Sequence, residues 1–127
     1  MNTVKILIDL AKSPRITITN ENAIELLECI IEKHGMTRDL EEALRIVNNF
    51  DEYYRILRKK FEDYISPPKN QRDVIEGRVI VHKLKLFTEN NEKKIEIVFD
   101  RRVDLELLKT CLEEIGYEEI VVEKQLF

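Results

Sequence analysis

The sequence predicts an α+β protein with an N-terminal helical half and a C-terminal ββαβ half. Three observations support this class. Apolar residues recur at heptad spacing from Met36 to Tyr64, which predicts a long helix. A strictly alternating, β-branched segment covers Arg15–Thr19 and predicts one short strand. Two strand-like segments, Gly77–Thr88 and Lys93–Asp100, then precede a second helical pattern.

A proline-containing segment divides the chain. Residues 66–72, which begin Ser66-Pro67-Pro68, read as a linker because proline cannot continue a helix or a sheet ladder. We therefore expect residues 1–65 to form the helical half. Residues 73–127 form the ββαβ half, and the two halves can pack as one compact domain, since 127 residues suffice for one core.

The first elements follow from local patterns. Thr3–Lys12 is predicted to be a short helix, because Val4, Leu7, Ile8 and Ala11 share one helical face, and Ser13-Pro14 ends it. After the Arg15–Thr19 strand, a helix over Glu21–His34 is expected, with Asn20 or Asn22 as its N-cap. Its core face contains Ile24, Leu27, Ile30 and Ile31, and Gly35 ends it.

The heptad seam is the strongest pattern in the chain. After Met36 its members recur at spacings of three and four: Leu40, Ala43, Val47, Phe50, Tyr54, Leu57, Phe61 and Tyr64. Thr37 is expected to begin this helix. Asn48, Asn49 and Asp51 are poor helix residues, but the unbroken register favours one long helix. The stripe must be buried against another helix, so a homodimer is the leading assembly.

The C-terminal half is predicted to be a hairpin, a helix and a last strand. The turn lies at Glu89–Glu92, and the hairpin would bury Ile80, Leu84 and Leu86 opposite Ile95, Ile97 and Phe99. Asp104 begins a helix that Gly116 closes, with Leu105, Leu108, Leu112 and Ile115 at helical spacing. Ile120–Val122 is the last strand, and the crossover helix makes it run parallel to the second hairpin strand.

Composition bounds the class of protein. The net charge is −4, which argues against bulk affinity for nucleic acid but not against a local basic surface. Glu, Lys and Ile are abundant, as in thermophile proteins. Cys29 and Cys111 lie in apolar helical patterns, which favours buried thiols in a reducing compartment. No signal peptide or membrane span is recognised, so we expect a cytoplasmic protein without a membrane partner.

Residues 15–50 carry a family resemblance. The Arg15–Thr19 strand, the helix that ends in Glu32-Lys33-His34-Gly35, and the helix opened by Met36-Thr37-Arg38-Asp39 resemble a ribbon-helix-helix DNA-binding domain of the CopG/Arc type. The resemblance implies that two chains pair this strand into a ribbon that enters the major groove of double-stranded DNA. Arg15, Thr17 and Thr19 would then contact bases. The amides near Thr37 would hold a backbone phosphate.

Two further basic surfaces are candidates. Arg55, Arg58, Lys59 and Lys60, interleaved with aromatics, could contact phosphates, although such a run is more often the solvated face of a helix. On the hairpin, Lys83 and Lys85 share a predicted face with Val79, Val81 and Phe87, which is compatible with base stacking.

The pattern of residues predicts no catalytic site. His34 and His82 lack partners at ligand spacing, and no glycine-rich phosphate loop is present, so no metal and no cofactor is expected. We therefore expect a small non-enzymatic DNA-binding regulator that acts as a homodimer. The alternative is a protein-interaction or scaffold module, without nucleic-acid binding, whose Met36–Tyr64 helix docks a protein partner.

Overall fold

The structure is a computed structural model and describes residues 2–125. Within these residues, five strands and five helices follow one another in the order β1, β2, α1, α2, α3, α4, β3, β4, α5, β5. Their bounds are β1 Thr3–Ile8, β2 Pro14–Thr19, α1 Asn20–His34, α2 Arg38–Asn48, α3 Phe50–Lys59, α4 Gln71–Glu76, β3 Val81–Glu89, β4 Glu92–Phe99, α5 Leu105–Glu114 and β5 Glu119–Lys124. The strands form one mixed sheet in the order β3-β4-β2-β1-β5.

The predicted fold class is wrong in its N-terminal half, which begins with two strands. The helix expected over Thr3–Lys12 is instead β1 and a turn, and Val4 and Ile6 are buried. The apolar residues fit a period of 3.6, but Val4, Ile6 and Ile8 also alternate at a period of 2. In so short a segment the periodicity is ambiguous, and sheet pairing decides the outcome.

β2 is confirmed as a strand and lies in the middle of the sheet. Arg15–Thr19 pairs residue by residue with β4 in the antiparallel direction. On its other side β2 pairs with β1, and Leu7 lies opposite Arg15. β5 completes the sheet by pairing in parallel with β1 along its whole length. Residues 1–65 and 73–127 therefore contribute strands to a single sheet.

The expected long helix over the heptad seam is also wrong, because the seam breaks into α2 and α3. Asn49 has φ −125° and ψ 44°, outside the helical region, and its side chain bonds the carbonyl of Arg45. Asparagine competes with helical hydrogen bonds in this way. Most seam residues are buried in the chain's own core: Leu40, Ala43, Val47, Phe50 and Leu57. The seam therefore requires no second copy for its burial.

Several local signals are confirmed. Thr37 caps α2 by accepting the N–H of Leu40, and Asp104 caps α5 by accepting the N–H of Glu106. α1 also forms, but Thr19 is its N-cap rather than Asn20 or Asn22. The hairpin turns at Asn90 and Asn91, which both have positive φ, as a two-residue hairpin turn requires.

The C-terminal half differs from its prediction in two details. β3 begins later than expected, and the preceding segment contains the unpredicted helix α4, which buries no residue. A register shift between Val81 and Lys83 places Val81 opposite Phe99 and Lys83 opposite Val98. Because this bulge inserts one residue, Val81 turns into the core and no longer shares a face with Lys83.

The helices cover one face of the sheet. The buried side chains of the central strands alternate as expected, with Ile16 and Ile18 on β2 beside Ile95 and Ile97 on β4. They share one apolar cluster with residues of α1, α2, α3 and α5. The alternate side chains of the same strands point away from this cluster. Among residues 2–125, no helix is both long and apolar enough to cross a membrane.

The prediction of two free thiols is wrong, because Cys29 of α1 and Cys111 of α5 form a disulfide. Their Cα atoms are 5.7 Å apart, within the usual range for such a bond. α1 and α5 pack side by side on the sheet, so residues 82 positions apart in sequence become neighbours. The pairing removes the thiol argument for a reducing compartment, and cytoplasmic localisation stays a prediction.

Asp39 joins α2 to the start of β3. It is fully buried, and its Oδ2 accepts the N–H groups of Ile80 and Val81 at 2.9 and 2.8 Å. Its place in the first turn of α2 also puts its negative charge at the positive end of the helix dipole. The carboxylate therefore satisfies two buried donors where the chain enters the sheet.

Reduction of the disulfide is expected to destabilise the fold substantially. Loop-closure entropy for a separation of 82 residues corresponds to about 4 kcal/mol. We expect the Tm of the wild type to fall by roughly 10–20 °C in reductant. A Cys29→Ala/Cys111→Ala variant should melt near the reduced wild type and ignore reductant. Equal Tm values with and without reductant would contradict the pairing.

Asp39→Ala is expected to destabilise the protein by at least about 2 kcal/mol, because two buried N–H groups lose their acceptor. Asp39→Asn keeps an acceptor oxygen and should cost less. Glu41→Ala, at an exposed position on the same helix, should stay within about 0.5 kcal/mol of wild type. Urea denaturation measures all three, and equal losses for Asp39→Ala and Glu41→Ala would contradict this role.

Candidate functional site

The face of the sheet opposite the helices carries the candidate site. We call it the open face and define it by three cross-strand rows of outward side chains on β2, β4 and β3. The rows are Arg15–Val98–Lys83, Thr17–Glu96–Lys85 and Thr19–Lys94–Phe87. Four of these nine residues are cationic and only one is acidic.

Glu96 lies at the centre of the open face and organises its charges. The hydroxyl of Tyr64 donates to Glu96 Oε1 at 2.6 Å, and Arg15 Nη1 donates to the same oxygen at 3.4 Å. Arg15 Nη2 also donates to Asp9 Oδ2 at 2.7 Å. The single carboxylate of the face is thereby engaged by Arg15 and Tyr64.

Lys83 and Lys85 remain without an acidic partner. Lys85 lies directly opposite Glu96, yet within residues 2–125 neither lysine has a carboxylate oxygen within 4.0 Å of its Nζ. Lys83 Nζ lies 4.3 Å from the centre of the Tyr64 ring, and Lys85 Nζ lies 6.0 Å from it. Lys85 Nζ is also 5.9 Å from the Phe87 ring. These are cation–π distances, so the rings hold the ammonium groups without neutralising them.

Tyr64 reaches this face because the chain pairs with the edge of β3 after α3. Ile65 forms an isolated bridge with Leu84, with backbone bonds of 2.8 and 2.9 Å. Leu84 faces the core, and Tyr64, one residue before Ile65, lies on the opposite side over Lys83. Burial and then the hydrogen bond to Glu96 raise the pKa of Tyr64, which keeps its hydroxyl protonated.

His82 and Lys69 adjoin Lys83 at the start of β3. Desolvation and then the charges of Lys69 and Lys83 lower the pKa of His82, so this histidine is neutral at pH 7. Lys69 donates its Nζ hydrogens to the carbonyls of His82 and Pro67 at 3.0 and 3.2 Å. Burial lowers the pKa of Lys69.

The structure separates the four predicted DNA contacts. Arg15 and Thr17 lie on the open face; Thr17 is exposed, and Arg15 is engaged by Asp9 and Glu96. Thr19 ends β2, and its hydroxyl oxygen caps α1 by accepting the N–H of Asn22. Thr37 is only 4% exposed and accepts the N–H of Leu40. The hydroxyls of Thr19 and Thr37 are therefore committed within the fold.

The four predicted phosphate contacts lie together on the exposed side of α3 and its end: Arg55, Arg58, Lys59 and Lys60. Arg58 donates to the hydroxyl of Tyr54 at 3.1 Å. In the described part of the chain, none of the four has a carboxylate within 4.0 Å. The chain then runs from Lys60 to Tyr64 at the edge of the open face, so both basic surfaces border β3.

Sequence reasoning did not identify Tyr64, Glu96 or Asp9 as site residues. Tyr64 was assigned to the seam, and nothing local indicates that it crosses to the other side of β3. Glu96 carries a usable signal, since it is the acidic outward residue between Ile95 and Ile97 in an alternating strand. Asp9 shows no signal beyond its place before a turn.

One group of potential metal donors occurs among residues 2–125, formed by Cys29, Cys111 and Glu114. Glu114 Oε2 lies 3.0 Å from the Cys29 sulfur, and its other oxygen pairs with Lys33. The sulfurs are joined in the disulfide, and thiolates are the forms that bind metals. This group lies between α1 and α5, on the opposite side of the sheet from the open face.

Comparison with models of protein families, with curated proteins and with solved structures finds no match to this chain. Functional inference therefore rests on the geometry of the open face and its surroundings.

The Asp9–Arg15 pair is expected to make stability depend on pH in acid. Burial alone would raise the pKa of Asp9, but hydrogen bonds from Ser13 and Arg15, and the charge of Arg15, hold it below its ordinary value. A lowered pKa stabilises the fold above the unfolded-state value, near 4, and this contribution is lost as the pH falls through the folded value. Asp9→Asn should therefore lower the Tm above pH 5, and its deficit should shrink below pH 4. Thermal melts from pH 2.5 to 6 measure this, and a deficit independent of pH would contradict it.

Proposed function

We propose that this protein is a non-enzymatic nucleic-acid-binding protein that holds a single strand against the β3 side of its open face. One observation carries the proposal: Lys83 and Lys85 lie beside aromatic rings without an acidic partner, while Glu96, the one carboxylate of the face, accepts from Tyr64 and Arg15. Unpaired cations on a sheet with exposed aromatic surface match the two parts of a nucleotide, its phosphate and its base.

The chemistry of the surface favours a strand of nucleic acid as the ligand over a small ion. Lys83 and Lys85 are alternate residues on β3, so their Cα atoms are about 7 Å apart, a spacing suited to successive phosphates. Phe87 continues the same row at half-buried exposure, and its ring can stack on a base. Stacking needs no particular base, so we expect weak sequence preference and strong salt dependence.

The pairing of β2 favours a mode of binding other than the ribbon. The ribbon implied by the ribbon-helix-helix resemblance requires this strand to pair with its copy in a second chain. Here β4 pairs with all of Arg15–Thr19, and β1 pairs with Pro14 and Arg15 at the start of the other edge. The outward face of a sheet can hold unstacked bases, which a single strand presents and a duplex does not. The proposed ligand is therefore a single strand, and duplex DNA is the comparison.

A protein-interaction module is the second candidate, and α4 favours it. This helix buries none of its residues, and Val74 and Ile75 are exposed to solvent. Met36, at the start of the heptad seam, is exposed as well. Such side chains suit a protein partner or a second copy of the chain. The homodimer stays a prediction, which light scattering after gel filtration measures directly.

Lys83→Ala/Lys85→Ala is expected to weaken binding of a fluorescent single-stranded oligonucleotide at least tenfold at low salt. The slope of log affinity against log salt should decrease by about 1.4, because two phosphate contacts are lost. Fluorescence anisotropy at several salt concentrations measures both quantities. Wild type should bind the single strand more tightly than a duplex of the same sequence.

The matched control is Lys109→Ala/Lys124→Ala, which changes the net charge equally on α5 and β5, away from β3. It should bind like wild type. Equal weakening in both variants would indicate only a nonspecific effect of net charge. Absence of wild-type binding at low salt would reject the proposed function and favour the protein-interaction module.

A further inference from the structure

The end of α3 contains a phenylalanine in a conformation that suits glycine. Phe61 has φ 54°, in the left-handed region. Its N–H donates to the carbonyl of Arg58, and the N–H of Glu62 donates to the carbonyl of Leu57. These two bonds form a Schellman motif with Phe61 at its left-handed position, where glycine is the usual residue. For a bulky side chain this conformation is strained.

The fold gains nothing visible from this side chain. Phe61 is 95% exposed, the highest value among the exposed large apolar residues. Lys12, Asn90 and Asn91 also have positive φ. Lys12 lies in the turn between β1 and β2, and asparagine tolerates positive φ and serves the hairpin turn. Neither reason applies to Phe61, because its side chain is bulky and exposed to solvent. Backbone strain combined with an exposed aromatic ring indicates a role in binding.

The surroundings of the ring indicate the kind of ligand. Phe61 lines a shallow groove with Leu57, Arg58, Glu62 and Asp63, so one cation and two carboxylates border the ring there. Lys59 and Lys60 precede it directly and have no carboxylate within 4.0 Å in the described chain. An apolar pocket of a protein partner or a lipid surface would instead match a wider apolar patch. A ring beside cations suits a base and its phosphates.

Phe61 is also close enough to the open face to contact the same strand of nucleic acid that is proposed to bind there. It precedes Tyr64 by three residues, so their Cα atoms are at most about 11 Å apart. The unpaired cations at the end of α3 therefore lie at one end of this short segment, and Lys83 on β3 lies at its other end. A bound strand of nucleic acid whose phosphates follow these cations therefore passes Phe61.

We propose that Phe61 stacks on a base of the single strand, and that its strained conformation holds the ring outward for that contact. The inference rests on the proposed function and extends it from the open face to the end of α3. It assigns the four cations of α3, Arg55 to Lys60, to the phosphates beside the stacked base.

The first test separates binding from folding. Phe61→Gly relieves the left-handed strain, so its Tm should rise by about 3 °C. Its affinity for a single-stranded oligonucleotide should nevertheless fall about tenfold, since a stacked base is lost. A variant that is more stable yet binds less tightly cannot owe its defect to misfolding. Unchanged affinity would overturn the inference.

The second test uses the absence of tryptophan from the chain. Phe61→Trp introduces a single indole, which should keep affinity within about threefold of wild type and lose fluorescence when an oligonucleotide stacks on it. Leu10→Trp, at another exposed apolar position on the turn after β1, is the matched control and should not be quenched. Equal quenching in both variants, or none in Phe61→Trp, would contradict stacking.

The outcomes distinguish this inference from the proposed function. If wild type binds and Lys83→Ala/Lys85→Ala binds weakly, while Phe61→Gly binds normally, only the role of Phe61 is rejected. If wild type binds no oligonucleotide, both proposals fail. If Phe61→Gly turns a dimer into a monomer in gel filtration, the ring contacts a second copy and the inference is overturned.

Discussion

The position of β2 in the middle of the sheet is the constraint on which the rest of the structure depends. Its residues Arg15–Thr19 pair with β4, and β1 lies on its other side, so an N-terminal strand links the C-terminal hairpin to β1 and β5. Ile16 and Ile18 then join the core beneath the helices, and Arg15 and Thr17 face the other way. One alternating strand thus separates a face of the sheet that the helices cover from the open face that they leave uncovered.

Electrostatic organisation of the open face follows from one carboxylate. Glu96 accepts from both Arg15 and Tyr64, and the lysines on β3 have no acidic partner although one of them lies directly opposite it. The charges of the face are therefore divided between an organised centre and two lysines on β3 that no carboxylate neutralises. This explains how a chain with a net charge of −4 presents a basic surface. Net charge is an average over the surface, whereas binding depends on the local field.

Features that depend on residues close in sequence could be predicted from the sequence, whereas features that depend on distant partners could not. The alternation of Arg15–Thr19, the cap at Thr37 and the hairpin turn each involve residues close in sequence, and each formed as predicted. β1 was misassigned because its partner strand β5 lies more than a hundred residues away, and pairing rather than periodicity decided its structure. The heptad register predicted one helix through Asn49 and a buried Phe61, but heptad spacing does not report a break in the helix. Part of the candidate site could be predicted from the sequence, namely Arg15, Thr17, Lys83, Lys85 and Phe87. Tyr64 could not, because it reaches these residues only through the bridge between Ile65 and Leu84.

The most direct test of the account is a map of where a single strand contacts the protein. Amide chemical shifts of the isotope-labelled chain, followed by NMR during titration with a short oligothymidylate, provide that map residue by residue. We expect perturbations on β3 and β2 at Lys83, Lys85 and Thr17 and at the end of α3, with little change on α1 and α5. Perturbations confined to α1, α5 or α4, with the open face unchanged at saturation, would contradict the central claim that the uncovered side of this sheet is the binding surface.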